Sequence, residues 1–109
     1  MSAAVSDSPI EIVVVAEPYL MSYRASIMAA KLLSDKLGLS LKVTGSDWLL
    51  DRGLKPYLPS FLVGFGANRY TQLRSEENLN HRELAAVLEE DLHRLVGHSR
   101  STTTAKATP

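Results

Sequence analysis

The stretch VVVAEPYLMSYRAS, Val13–Ser26, joins an apolar run directly to a helical pattern. The apolar run begins at Ile10 and continues to Ala16 with little interruption, which is typical of a strand buried on both faces of a sheet. Pro18 cannot continue a central strand, but it suits the first turn of a helix, where no backbone N–H is needed. From Tyr19 onward, apolar residues recur at helical spacing. We therefore expect a buried strand followed at once by a helix.

The next segments predict a second strand and a short helix. The helical pattern ends at Gly38, a residue that favours helix C-termini. SLKVT, residues 40–44, then alternates polar and apolar residues, as a partly exposed strand does. A strand, a long helix and a second strand predict a right-handed parallel crossover unit. A short helix is expected over residues 48–52.

The second half of the folded region predicts a hairpin and a final helix. Pro59 marks the start of a strand over residues 60–65, because proline does not fit inside a central ladder. Turn residues follow, and residues 70–73 are expected to form the returning strand. Asn80 and the glutamate three residues later form a capping box at the start of the last helix. We expect this helix to end at Gly97.

The composition excludes several function classes. The chain has 109 residues, of which 45% are hydrophobic and 22% charged, as in an ordinary globular domain. Its 12 basic residues balance its 12 acidic residues, which argues against a nucleic-acid binder because phosphate neutralisation usually needs a basic excess. Because there is no cysteine, disulfides, thiol redox chemistry and thiolate metal sites are excluded.

The ends of the chain predict its domain organisation. We expect a flexible N-terminal tail over residues 1–9, one folded domain over residues 10–97 and a disordered C-terminal tail over residues 98–109. The first segment is small and polar, and the last lacks any apolar residue larger than alanine. No apolar run is long enough to span a membrane, and the N-terminus lacks the features of a signal peptide. The sequence therefore predicts a cytoplasmic location.

The predicted element order, βαβαββα, resembles that of the thioredoxin/glutaredoxin superfamily. Members carry Cys-x-x-Cys after the first buried strand, often with proline before the second cysteine, and Ala16-Glu17-Pro18-Tyr19 has proline at that position. A cis-proline precedes the hairpin strand in this family, and Pro59 in YLPSF is its counterpart. The resemblance implies an α/β fold with a four-stranded mixed sheet flanked by helices. It implies a cysteine-free, redox-inactive member, because alanine and tyrosine stand where the two cysteines would be.

The resemblance also suggests where a partner binds. An exposed tyrosine on a rigid corner is a side chain enriched at interface hot spots, and the family binds extended peptides at the segment before the hairpin strand. Four candidate residues also have a structural interpretation. Glu17 and Pro18 fit the start of a helix, Pro59 fits a turn, and Trp48 fits a residue that covers the edge of the sheet. The predicted partner-binding residues are Glu17, Pro18, Tyr19, Trp48, Tyr57, Pro59 and Ser60.

We therefore expect a protein-interaction domain that binds a protein or peptide and has no enzymatic activity and no cofactor. Self-association through the hairpin edge or the first helix is a further option. One alternative is a small nucleic-acid-associated protein, against which the neutral charge argues. The other is a glutathione-binding or transferase-like enzyme, because glutathione transferases use a Tyr or Ser hydroxyl near the same corner. Tyr19, Ser22 or Tyr23 would have that role here, although such enzymes need a second helical domain.

The remaining charged residues predict no metal site. His81 and His93 are about three helical turns apart, roughly 18 Å, so one ion cannot be bound by both. His98 lies beyond the expected end of the last helix, and no carboxylate has ligand spacing to it. Glu89, Glu90 and Asp91 are expected to form a solvated face of that helix.

Overall fold

Strand β1 (Glu11–Val15) is an inner strand of the sheet in this computed structural model, which describes residues 8–76 and 78–107. Side chains are described for residues 8–76 and 78–96. Residues 12–15 are fully buried, because elements cover both faces of the sheet at this strand. The apolar run predicted a strand of this kind, and the prediction is confirmed.

Helix α1 (Tyr23–Leu37) begins later than the sequence predicts. Two consecutive turns precede it, closed by the Leu20 N–H to the Glu17 carbonyl oxygen (3.0 Å) and the Tyr23 N–H to the Leu20 carbonyl oxygen (3.1 Å). Pro18 lies in the first of these turns, so its predicted place in the first turn of the helix is wrong. The predicted end is confirmed, because the residue after Leu37 is a left-handed glycine whose N–H caps the helix.

Three further strands and two helices complete the fold over the described residues. They are β2 (Ser40–Thr44), helix α2 (Ser46–Asp51), β3 (Ser60–Gly64), β4 (Tyr70–Gln72) and helix α3 (His81–Ala107). The strand order is β2-β1-β3-β4. β1 is parallel to β2 and antiparallel to β3, and β3 is antiparallel to β4. The protein is therefore α/β with a four-stranded mixed sheet, as predicted.

The sheet separates two hydrophobic cores, because successive residues of a strand point to opposite faces. The larger core lies under α1 and α3, and its buried residues include Ile12, Val14, Leu33, Phe61, Val63 and Leu88. The smaller core lies under α2, and its buried residues are Val13, Val15, Trp48, Leu49 and Leu62. The second face of the sheet therefore depends on a short helix for its cover.

Helix α3 begins with the predicted capping box. The Glu83 N–H donates to Asn80 Oδ1 (2.8 Å), and the Asn80 N–H donates to Glu83 Oε1 (3.1 Å). The helix continues to Ala107 and passes through Gly97, where the sequence predicts its end. One glycine costs a helix about 1 kcal/mol, and the residues that follow it contain no proline before the last position. Residues 1–7 of the predicted N-terminal tail, and 108–109 of the C-terminal tail, lie outside the described residues.

Candidate functional site

Three chain segments meet at one end of the sheet, where β1 and β2 end and β3 begins. Val15 pairs with Ser60, so the segment after β1 lies beside the segment before β3. The Ala16 N–H donates to the last carbonyl oxygen of β2 (3.0 Å), which brings the end of β2 to the same place. We call the surface formed by residues 17–21 and 57–59 the corner. Most of the predicted partner-binding residues lie there.

The Glu17 carboxylate joins the corner to helix α2. Its Oε2 accepts hydrogen bonds from the Ser46 backbone N–H (2.8 Å) and the Ser46 hydroxyl (3.0 Å). It therefore caps α2, whose own N-cap residue, Gly45, has no side chain to do so. A Cβ on Gly45 would lie 2.6 Å from Oε2, so the glycine permits this approach. Glu17 thus has a structural contact, and the helix that it supports is α2 rather than α1.

Replacing Glu17 with alanine is expected to lower the free energy of unfolding by about 1 kcal/mol, the usual cost of losing a helix N-cap. Chemical denaturation measures this change. The matched control is Asp51→Ala, which removes an exposed carboxylate at the other end of α2 and should change stability by less than about 0.5 kcal/mol. Equal effects of the two substitutions would contradict the capping role of Glu17.

Large apolar side chains project from the corner. Tyr19 is 76% exposed, Met21 is fully exposed and Tyr57 is 63% exposed. The two turns before α1 hold Tyr19 and Met21 away from the core, and Pro18 is exposed beside them. The helical pattern expected from Tyr19 onward includes Met21, but the structure places Met21 in the turns before α1, at the corner. The sequence feature that indicates its exposure is that Met21 lies outside the three- and four-residue spacing of the buried residues.

Pro59 and Ser60 determine the shape of the second segment. The Leu58–Pro59 peptide bond is cis, as the resemblance predicts, and Pro59 is half-buried. Ser60 is buried, and its hydroxyl donates to the Tyr57 carbonyl oxygen. Gln72 Nε2 on β4 donates to the same hydroxyl (3.1 Å). Ser60 therefore lies beneath the surface, where it fixes the backbone that presents Tyr57.

Trp48 lies under the corner and is not part of its surface. It is only 9% exposed and meets the Tyr70 ring edge-on, with centroids 4.9 Å apart and an interplanar angle of 83°. The Arg52 guanidinium lies 3.9 Å from the centroid of the Trp48 ring, a cation–π distance. This placement matches the interpretation of Trp48 as cover for the sheet.

Asp91 is a buried residue whose contacts the sequence did not predict. It is 5% exposed, so its predicted place on a solvated helix face is wrong. Its carboxylate accepts the Arg74 backbone N–H (2.7 Å) and the Arg94 guanidinium, and so ties α3 to the segment after β4. Burial raises the pKa of Asp91, but the hydrogen bonds and charges of these two arginines outweigh it and hold the pKa below its ordinary value. The sequence feature that indicates its burial is that Asp91 occupies one of the otherwise apolar positions of the helix.

Comparison with known proteins gives no indication of function. No family model, curated protein or solved structure matches the chain. Within the side chains that are described, no three His, Asp or Glu residues gather closely enough to hold a metal ion, and His98 lies outside that set. None of the described helices is both long enough and apolar enough to cross a membrane.

Proposed function

We propose that this chain is a redox-inactive, thioredoxin-like domain that binds a protein partner at the corner and catalyses no reaction. The strand order β2-β1-β3-β4, helices on both faces and the position of Pro59 beside the end of β1 support the thioredoxin-like assignment. The residue that would act as a redox nucleophile in that family is replaced by Ala16, which is buried and carries no reactive group.

The observation that carries the proposal is the exposure of Tyr19, Met21 and Tyr57 on segments whose backbones are fixed from within. The Glu17 carboxylate holds the first segment to α2, and the Ser60 hydroxyl holds the second. Tyrosine side chains lose little conformational entropy on binding and combine a large apolar ring with a polar tip. Anchors of this type provide most of the binding energy in protein interfaces.

The shape of the corner favours a macromolecule over a small substrate. Small-molecule sites are concave and enclose most of their ligand, whereas the three anchors project outward. The large exposure of Tyr19 does not favour the alternative in which its hydroxyl stabilises a bound glutathione thiolate, because that role needs a hydroxyl shielded from water. The zero net charge of the chain does not favour a nucleic-acid partner.

Alanine variants of the two tyrosines test the proposal. We expect Tyr19→Ala and Tyr57→Ala each to weaken the affinity for the partner by about 30-fold or more, as loss of a hot-spot side chain does. The partner is isolated by affinity capture from the cells of origin, and its affinity for each purified variant is then measured by titration calorimetry. Because both side chains are exposed, the variants should keep the thermal stability of the wild type.

Leu32→Ala is the matched control, because Leu32 is a comparably large side chain, 43% exposed, in the second half of α1. It should leave the affinity unchanged. If both tyrosine variants bind every captured partner as tightly as the wild type does, the corner is not the binding surface.

A further inference from the structure

Strand β2 forms one edge of the sheet, and its outer hydrogen-bonding groups have no strand partner among the described residues. The Ser40 N–H donates to the Ile10 carbonyl oxygen (3.2 Å), and the Thr44 carbonyl oxygen accepts the Ala16 N–H (3.0 Å). Since successive residues of a strand direct their backbone groups to opposite sides, positions 40, 42 and 44 face β1. The N–H and C=O groups of Leu41 and Val43 therefore point outward.

The side chains along this edge alternate in chemistry. Leu41 is half-buried against the larger core, and Val43, on the same face of the sheet, is 45% exposed. Lys42 is aligned with Val13 and lies on the opposite face. It is exposed and has no ion pair with any residue whose side chain is described. The edge therefore presents two apolar residues on one face and one unpaired positive charge on the other.

This pattern opposes pairing with a second copy of the chain. The antiparallel register that uses both outward residues pairs Leu41 of one copy with Val43 of the other. That register sets Lys42 directly opposite Lys42 of the second copy, with Cα atoms about 4.5 Å apart. Like charges in opposite positions destabilise a strand pair, and lysine on an edge strand commonly prevents such association.

We propose that the β2 edge binds an extended segment of another protein as an antiparallel strand. The segment carries an acidic residue opposite Lys42 and apolar residues on either side of it. The acidic side chain pairs with the Lys42 ammonium, the apolar neighbours cover Leu41 and Val43, and the main chain satisfies their outward groups. Leu41, Lys42 and Val43 are not corner residues, so the inference does not rest on the proposed function.

The test uses the full chain and a peptide probe, acetyl-Ser-Thr-Val-Glu-Val-Thr-Ser-amide, in an NMR titration. We expect saturable shifts at the Leu41 and Val43 amides, and slower hydrogen exchange there as the peptide is added. A matched probe with lysine in place of glutamate should bind more weakly, by up to about fivefold, given the usual energies of opposed charge pairs. In K42E the preference should reverse, so that the lysine probe binds better.

Three results would overturn the proposal. The first is the absence of any saturable shift at Leu41 and Val43. The second is equal binding of both probes to the wild type and to K42E. The third is concentration-dependent protection of the same two amides without peptide, together with dimers in sedimentation, because the occupant would then be a second copy. Tyr57→Ala serves as the control and should bind the glutamate probe as the wild type does.

Discussion

Replacing Trp48 with alanine is expected to lower the free energy of unfolding by about 3–5 kcal/mol, the usual cost of deleting a buried aromatic side chain. Trp48 is the largest residue of the smaller core, where it packs against Val13, Val15 and Leu62. Its removal leaves a cavity between α2 and the sheet, and it deprives the Arg52 guanidinium of the ring beneath it. Chemical denaturation followed by far-UV circular dichroism measures the effect, because Trp48 is the only tryptophan available for fluorescence.

Trp48→Phe separates packing from hydrogen bonding. The Trp48 indole N–H is buried and has no hydrogen-bond partner among the described residues. Deleting it therefore breaks no bond, and we expect Trp48→Phe to cost clearly less than Trp48→Ala. Tyr57→Ala, which removes an exposed ring, should change stability by less than about 0.5 kcal/mol. If Trp48→Ala were as mild as Tyr57→Ala, Trp48 would not be part of the core.

Much of the fold follows from the sequence because its signals are local. The apolar run of β1, the glycine after α1 and the capping box of α3 each depend on residues close together in the chain. The two largest errors lie at helix ends, where local preferences compete. Pro18 suits a helix start and a turn equally well, and the turn is formed here. Gly97 suits a helix end, but the structure continues the helix through it.

The candidate site was only partly predictable, because its contacts join residues far apart in the chain. The sequence identified Glu17 as a helix-start residue but could not show that it caps a helix 29 positions later. It likewise offered two interpretations of Trp48, and burial favours the structural one. Exposure of Tyr19 was expected from its place at the corner after the first strand. The predicted positions of Met21 and Asp91 were wrong, because helical spacing alone shows neither that turns precede α1 nor that a buried acid forms a salt bridge.

Replacing Asp91 with alanine is expected to lower the free energy of unfolding by about 2–3 kcal/mol at neutral pH. The substitution removes a charged acceptor and leaves the Arg74 backbone N–H without its bond, while Arg94 is mostly exposed and can turn to water. Asp91→Asn keeps an acceptor of similar shape and should cost less. Glu90→Ala is the matched control, because Glu90 is exposed and adjacent in sequence. Equal effects of the alanine substitutions at 90 and 91 would contradict the link between α3 and the segment after β4.

The effect of Asp91 on stability should also depend on pH, and the sign follows from its pKa. The pKa of Asp91 is lower in the folded protein than its ordinary value, which is about 3.9 in an unfolded chain. The ionised carboxylate therefore stabilises the fold at every pH above that value, and the contribution is lost as the pH falls through the folded pKa. Asparagine does not titrate, so the difference in unfolding free energy between the wild type and Asp91→Asn should shrink in acid. A difference that stays constant from neutral pH down to about 2 would show that the charge of Asp91 contributes nothing, and that only the hydrogen-bond geometry stabilises this contact.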